Sequence, residues 1–234
     1  MDPVPHPAGS VCWLDLGVAD VDAAVAFYGE LLGWAVAPPD ATGYRLAGLP
    51  GGLVAAFGPA DDPGDPYWTV YVGTADLEAS VRAYTAAGGT VVVPPEAVGE
   101  VGASAIVRDP AGVPLSFWQP GTHLGTYGAG SGEPGTLAGV RLLGADPAPT
   151  AAFLAAALGW RMHPDGTISH AGRPVATWSP PLPGARRGWL VQFAVADVTA
   201  TTARALELGA RLATPATEGG GTLLDPAGAR FALT

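Results

Sequence analysis

The chain has 234 residues, with 48% hydrophobic and only 14% charged side chains, and its 34 glycines and 24 prolines call for many turns. The formal net charge is −10 and all 11 basic residues are arginines, so a phosphate-neutralising surface is hard to build and no nucleic-acid partner is expected. Without lysine, P-loop and Schiff-base chemistry are excluded as well.

No apolar run reaches bilayer length, no charged-then-apolar leader opens the chain, and the single Cys12 cannot form an internal disulfide. A cytoplasmic protein with no membrane partner is expected.

Residues 1–9 carry three prolines and a glycine and read as a flexible tail. Residues 10–18 read as a strand, and Asp20 follows as a helix N-cap. Ala24, Phe27, Tyr28 and Leu31 fall on one helical face, and Gly33 sits where a left-handed C-cap ends the helix. A short strand at 35–37 and two more at 43–49 and 51–59 precede a break at 61–66. The plan then returns: a strand at 67–73, Asp76 as cap, a helix at 77–87 ending at Gly88, and strands near 90–94, 102–109 and 113–119. Residues 121–136 are Gly-rich and read as a linker.

The whole double unit then starts again. Asp20, Phe27, Gly33 and Trp34 return as Asp146, Phe153, Gly159 and Trp160 at an offset of 126. Trp68 and Asp76 return as Trp189 and Asp197 at 121, and the DPAG at Asp109 returns at Asp225 at 116. Three ordered blocks with small drifts indicate duplication, with shorter loops in the second copy. The reading is α+β: four βαβββ modules in two tandem domains, 10–120 and 137–234.

The segments CWLDLGVADVDAAVAFYGELLGW and DPAGVPLSFWQP resemble the vicinal oxygen chelate superfamily of glyoxalases, bleomycin-resistance proteins and extradiol dioxygenases, in particular its two-domain actinobacterial hydroxylase-like or glyoxalase-like members. That resemblance implies mixed sheets curled into cups, with one strand face against helices and the other lining a cavity. Alternation along the first strand gives Leu14, Leu16 and Val18 to the helices and Trp13, Asp15 and Gly17 to the cup.

The resemblance also locates where metal-using members place His or Glu: Trp13, Thr69 and Ser116 in the first copy, and Gly139, Leu190 and Ala232 in the second. None is a ligand for a catalytic divalent metal, and residues 51–58, source of the fourth ligand, hold no His, Cys, Asp or Glu. No metal and no cofactor are expected. A glyoxalase or dioxygenase would need ligands from elsewhere, such as Asp15 with His163 or His170.

Trp13, Thr69, Tyr71, Ser116 and Trp118 would then line the first cup with Asp15, an apolar pocket with few polar fixtures suited to a planar organic ligand; the alternative is that the rings simply fill the cup as core. Asp15 needs a partner, a water or a ligand, and reads either as structurally paired or as a general base with Tyr71 as acid or donor. Arg141, Gln192 and Arg230 would mark the second cup, the arginines binding an anion or pairing structurally. Trp34, Trp68, Trp160 and Trp189 read as packing. The expected function is binding of an apolar or aromatic natural product without metal, in resistance or sequestration, by a monomer or homodimer. The alternative is a metal-free cyclase, isomerase or lyase using Asp15 and Tyr71.

Overall fold

The computed structural model describes residues 6–60, 66–144, 146–181, 187–213 and 221–234, so most of the break expected at 61–66 and the first residue of the repeated helix segment, Ala145, lie outside the described residues. The first half contains β1 (Val11–Val18), α1 (Val21–Leu32), β2 (Ala35–Val36), β3 (Arg45–Leu49), β4 (Gly52–Pro59), β5 (Tyr67–Gly73), α2 (Leu77–Ala86), β6 (Thr90–Val98), β7 (Gly102–Arg108) and β8 (Pro114–Pro120). The second contains β9 (Leu137–Leu143), α3 (Pro147–Leu158), β10 (Arg161–Met162), β11 (Thr167–His170), β12 (Arg173–Ser179), β13 (Gly188–Phe193), α4 (Val198–Glu207), β14 (Arg211–Leu212), β15 (Thr222–Leu224) and β16 (Arg230–Leu233). Strand, helix and three strands recur four times.

Each helix starts because an aspartate accepts a main-chain N–H of its first turn: Asp20 from Ala23, Asp76 from Ala79, Asp146 from Ala148 and Asp197 from Ala200. α1 and α3 stop at Gly33 and Gly159, whose φ of 71° and 64° suit a residue without Cβ. Replacing Asp76 with Ala is expected to lower the unfolding free energy by about 1 kcal/mol in urea titration. β6 runs on to Val98, beyond the expected residue 94, through Pro94 and Pro95. It is an edge strand with register shifts against β7, so the missing proline N–H groups remove no ladder bond on the outer side.

Two eight-stranded sheets result, in the orders β2-β3-β4-β1-β5-β8-β7-β6 and β10-β11-β12-β9-β13-β16-β15-β14. β1 runs parallel to β4, β5 to β8, β12 to β9 and β13 to β16, while the neighbouring hairpins are antiparallel, so both sheets are mixed. Their outer strands are not joined, and the sheets stay open.

Compactness cuts across this order. One compact unit comprises the chain up to Trp13, Val70–Gly125 and Val140–Trp189; the other comprises Leu14–Thr69, Thr126–Gly139 and Leu190–Thr234. Each therefore takes one module from each half. In the first, α2 and α3 meet through Tyr84 edge-on to Phe153 at 4.9 Å, and the buried Trp160 donates Nε1–H to the Gly9 carbonyl at 2.7 Å. Trp189 is only half-buried and donates to the Pro114 carbonyl. The second unit is centred on the rings of Tyr28, Trp34, Phe57, Trp68 and Phe193, with Arg204 of α4 paired to Glu30 of α1 at 2.8 Å. Among the described residues no helix is long and apolar enough to cross a membrane.

Candidate functional site

In the first unit β5 and β8 are parallel neighbours, with Tyr71 opposite Ser116 and Gly73 opposite Trp118. Alternation puts Tyr71, Ser116 and Trp118 on one face and Val70, Val72 and Phe117 on the other, where Phe117 meets Tyr84 of α2. The Trp118 indole meets the Tyr71 ring edge-on at 6.4 Å and the His123 imidazole at 5.6 Å. His123 in turn stands edge-on to Trp13 at 4.2 Å. Trp118 also donates Nε1–H to the His123 carbonyl at 3.0 Å, and the His123 N–H donates to Val101. The imidazole is thus held in place by the main chain as well as by the rings.

Gly102, at the start of β7, permits this arrangement. A Cβ there would lie 2.6 Å from both the Trp118 ring and the Gln119 carbonyl oxygen, too close for any side chain. Trp13 and Trp118 are 5% and 6% exposed, whereas Tyr71 is half-buried. A cavity of about 290 Å³ borders the cluster at Trp118 and is lined also by His6, Cys12, Thr74, Gln119 and Leu124. That is the low end of the range for drug-sized ligands.

Two buried polar atoms of this cluster, Ser116 Oγ and His123 Nε2, have no hydrogen-bond partner among the described residues. Burial first, then the nearby His6, lowers the His123 pKa below the ordinary imidazole value. The ring is therefore neutral at physiological pH and carries one donor and one acceptor nitrogen. Cys12 is buried and its thiol is pushed up to about 12 by desolvation, which keeps it protonated and excludes it as a nucleophile.

Of the residues expected to line the first cup, Trp13, Tyr71, Ser116 and Trp118 share this unit, while Asp15 and Thr69 belong to the other. Asp15 is 5% exposed and accepts a hydrogen bond from the Tyr44 hydroxyl at 2.8 Å. Tyr44 enters from the residue before β3, and nothing in the periodicity of the sequence marks it. In the second copy, Arg141 donates Nε–H to Thr177 at 3.4 Å within the first unit, whereas Gln192 and Arg230 are half-buried residues of the second. His123, which sequence reasoning placed in a linker, is the functional candidate that it missed.

Residues 12–117 and 141–234 match the glyoxalase-like domain family. The chain belongs to that family. Its open mixed sheets and repeated βαβββ modules are those of the vicinal oxygen chelate superfamily. This glyoxalase-like chain is 36% identical over 256 residues to the anthracycline biosynthesis protein DnrV of Streptomyces peucetius, covering 96% of the chain and 92% of the relative. It is 30% identical over 255 residues to CFP32 of Mycobacterium tuberculosis, which carries a provisional glyoxylase name, covering 96% and 94%. The Mn(II)-bound glyoxalase of Novosphingobium aromaticivorans superposes with a TM-score of 0.66 over 97% of this chain and 82% of that one, a likeness of fold at 17% identity.

The side chains at the positions where the resemblance implies ligands do not fit such a metal. Trp13 is packed edge-on to His123, Ser116 offers a neutral hydroxyl, and Gly139, Leu190 and Ala232 offer no donor side chain. Among the described residues no three His, Cys, Asp or Glu side chains gather as a metal-holding group. His163 engages Ser169 at 2.8 Å, and His170 the Gly159 carbonyl at 3.3 Å.

Proposed function

We propose that this glyoxalase-like protein binds an apolar or aromatic small molecule in the cytoplasm without a metal. The observation that carries this reading is the Trp13–His123–Trp118–Tyr71 ring cluster, in which Trp13 and the adjoining Ser116 occupy two positions where the resemblance implies metal ligands, and which holds two polar atoms unpartnered among the described residues. The name of DnrV, from anthracycline biosynthesis, supports a fused-ring natural product as the ligand class. Asp15 already accepts from Tyr44, so the reading rests on binding and not on acid–base catalysis.

Equilibrium dialysis against 1,8-dihydroxyanthraquinone, 1-naphthol and naphthalene, with and without EDTA, tests it. Saturable uptake with a dissociation constant of roughly micromolar, a binding free energy of about −8 kcal/mol, is expected and is unchanged by EDTA. Elemental analysis is expected to find metal well below one per chain. A protein that takes up none of the probes is not a binder of this class, and uptake abolished by EDTA would end the metal-free reading.

A further inference from the structure

We propose that His123 and Ser116 together read an oxygen substituent on the aromatic ligand, so that the site selects a phenolic or quinonoid fused ring over the parent hydrocarbon. This rests on the binding role above and assigns its polar specificity.

Ser116 and Trp118 lie on one face of β8, with Tyr71 opposite Ser116 on that face. Trp118 touches His123 and His123 touches Trp13, while Ser116 shares the Trp118 face of β8, so each unpartnered atom adjoins the ring cluster through Trp118. Ser116 is fully buried, and its hydroxyl has lost water without gaining a partner among the described residues. His123 Nε2 is in the same state. Native proteins leave few such atoms, because a desolvated donor or acceptor costs free energy until something pairs with it.

The chemistry of the pair defines what fits. A hydroxyl and a neutral imidazole nitrogen can each donate or accept, so together they suit a phenol, which does both, or a quinone carbonyl with two lone pairs. They offer no fixed charge to an ammonium or a carboxylate. The charge that acts on His123 is that of His6, and the rings that meet the imidazole edge-on are those of Trp13 and Trp118.

Ser116→Ala and His123→Phe separate the polar reading from packing. Ser116→Ala removes one oxygen that has no partner among the described residues, so its urea midpoint is expected to stay or rise. Its affinity for 1-naphthol is expected to fall about ten-fold, while its affinity for naphthalene changes less than about two-fold. His123→Phe keeps a ring between the two indoles and is expected to show the same split. Because Ser116→Ala creates no steric conflict, it decides the matter even where His123→Phe folds poorly. Variants that bind both probes like the parent overturn the role of the two residues and leave the binding function standing. Equal losses for both probes also overturn it, since they report packing. A parent protein that takes up neither probe removes the binding function itself.

Discussion

Tyr28→Phe is expected to lower the unfolding free energy by about 3 kcal/mol, read as a shift of the urea midpoint with an unchanged slope. In the second unit the Tyr28 hydroxyl donates to Asp225 Oδ2 at 2.9 Å and accepts from Trp68 Nε1 at 3.1 Å, and all three side chains are buried. Removing one oxygen strands a carboxylate oxygen and an indole N–H together, which costs more than the bonds themselves contribute. Tyr127→Phe is the control, because its hydroxyl bonds Glu133 at the surface, and a loss below about 0.5 kcal/mol is expected there. Equal losses in the two variants would mean that the buried triad adds nothing.

The same triad sets a pH dependence. Burial raises the Asp225 pKa above the ordinary carboxylate value, outweighing the bonds from Ala229, Tyr28 and Gly228. The folded protein thus keeps a proton that the unfolded chain has released. Asp225 therefore favours folding most at pH below its unfolded value, and its contribution declines as pH rises towards the raised folded value. Asp225→Asn removes the titrating group, and one of its two acceptor oxygens with it, so stability is expected to fall at every pH while that decline between mildly acidic and neutral pH flattens.

Local signals made much of the fold legible. Asp20, Asp76, Asp146 and Asp197 cap helices because a short carboxylate reaches its own first turn, an interaction confined to a few residues of sequence. Offsets of 126, 121 and 116, with four matched residues of the first block sharing one value, then carried the register from one half to the other. Pairing of modules into compact units was not legible, since packing of α2 on α3 joins segments far apart in the chain and leaves no period behind. Asp225 shows the same limit: its Oδ1 serves the local DPAG turn, like Asp109, but its Oδ2 meets Tyr28 across 197 residues. Of the ring cluster, alternation grouped Tyr71, Ser116, Trp118 and Trp13, the residues whose direction a strand dictates. It could not identify His123, because a Gly-rich segment has no periodicity and only the folded bonds to Val101 and Trp118 place its imidazole.

Trp118 decides between a ligand wall and a filled core, and thermodynamic linkage separates the two. Trp118→Ala is expected to cost about 3–5 kcal/mol of stability in either case, because a buried indole leaves a cavity. The free protein alone is therefore uninformative. A ligand at about one hundred times its dissociation constant stabilises the folded state by about 2.7 kcal/mol. Trp118 touches both Tyr71 and His123, so its loss removes one wall and releases another, and a hundred-fold weakening for 1-naphthol is expected. At the same ligand concentration the increment then falls to about 0.4 kcal/mol. Trp118→Phe keeps an aromatic wall but gives up the bond to the His123 carbonyl, and an intermediate increment is expected. Urea titrations of parent and variants with and without 1-naphthol measure all three. An increment that survives Trp118→Ala undiminished would assign the indole to the core and move the ligand elsewhere.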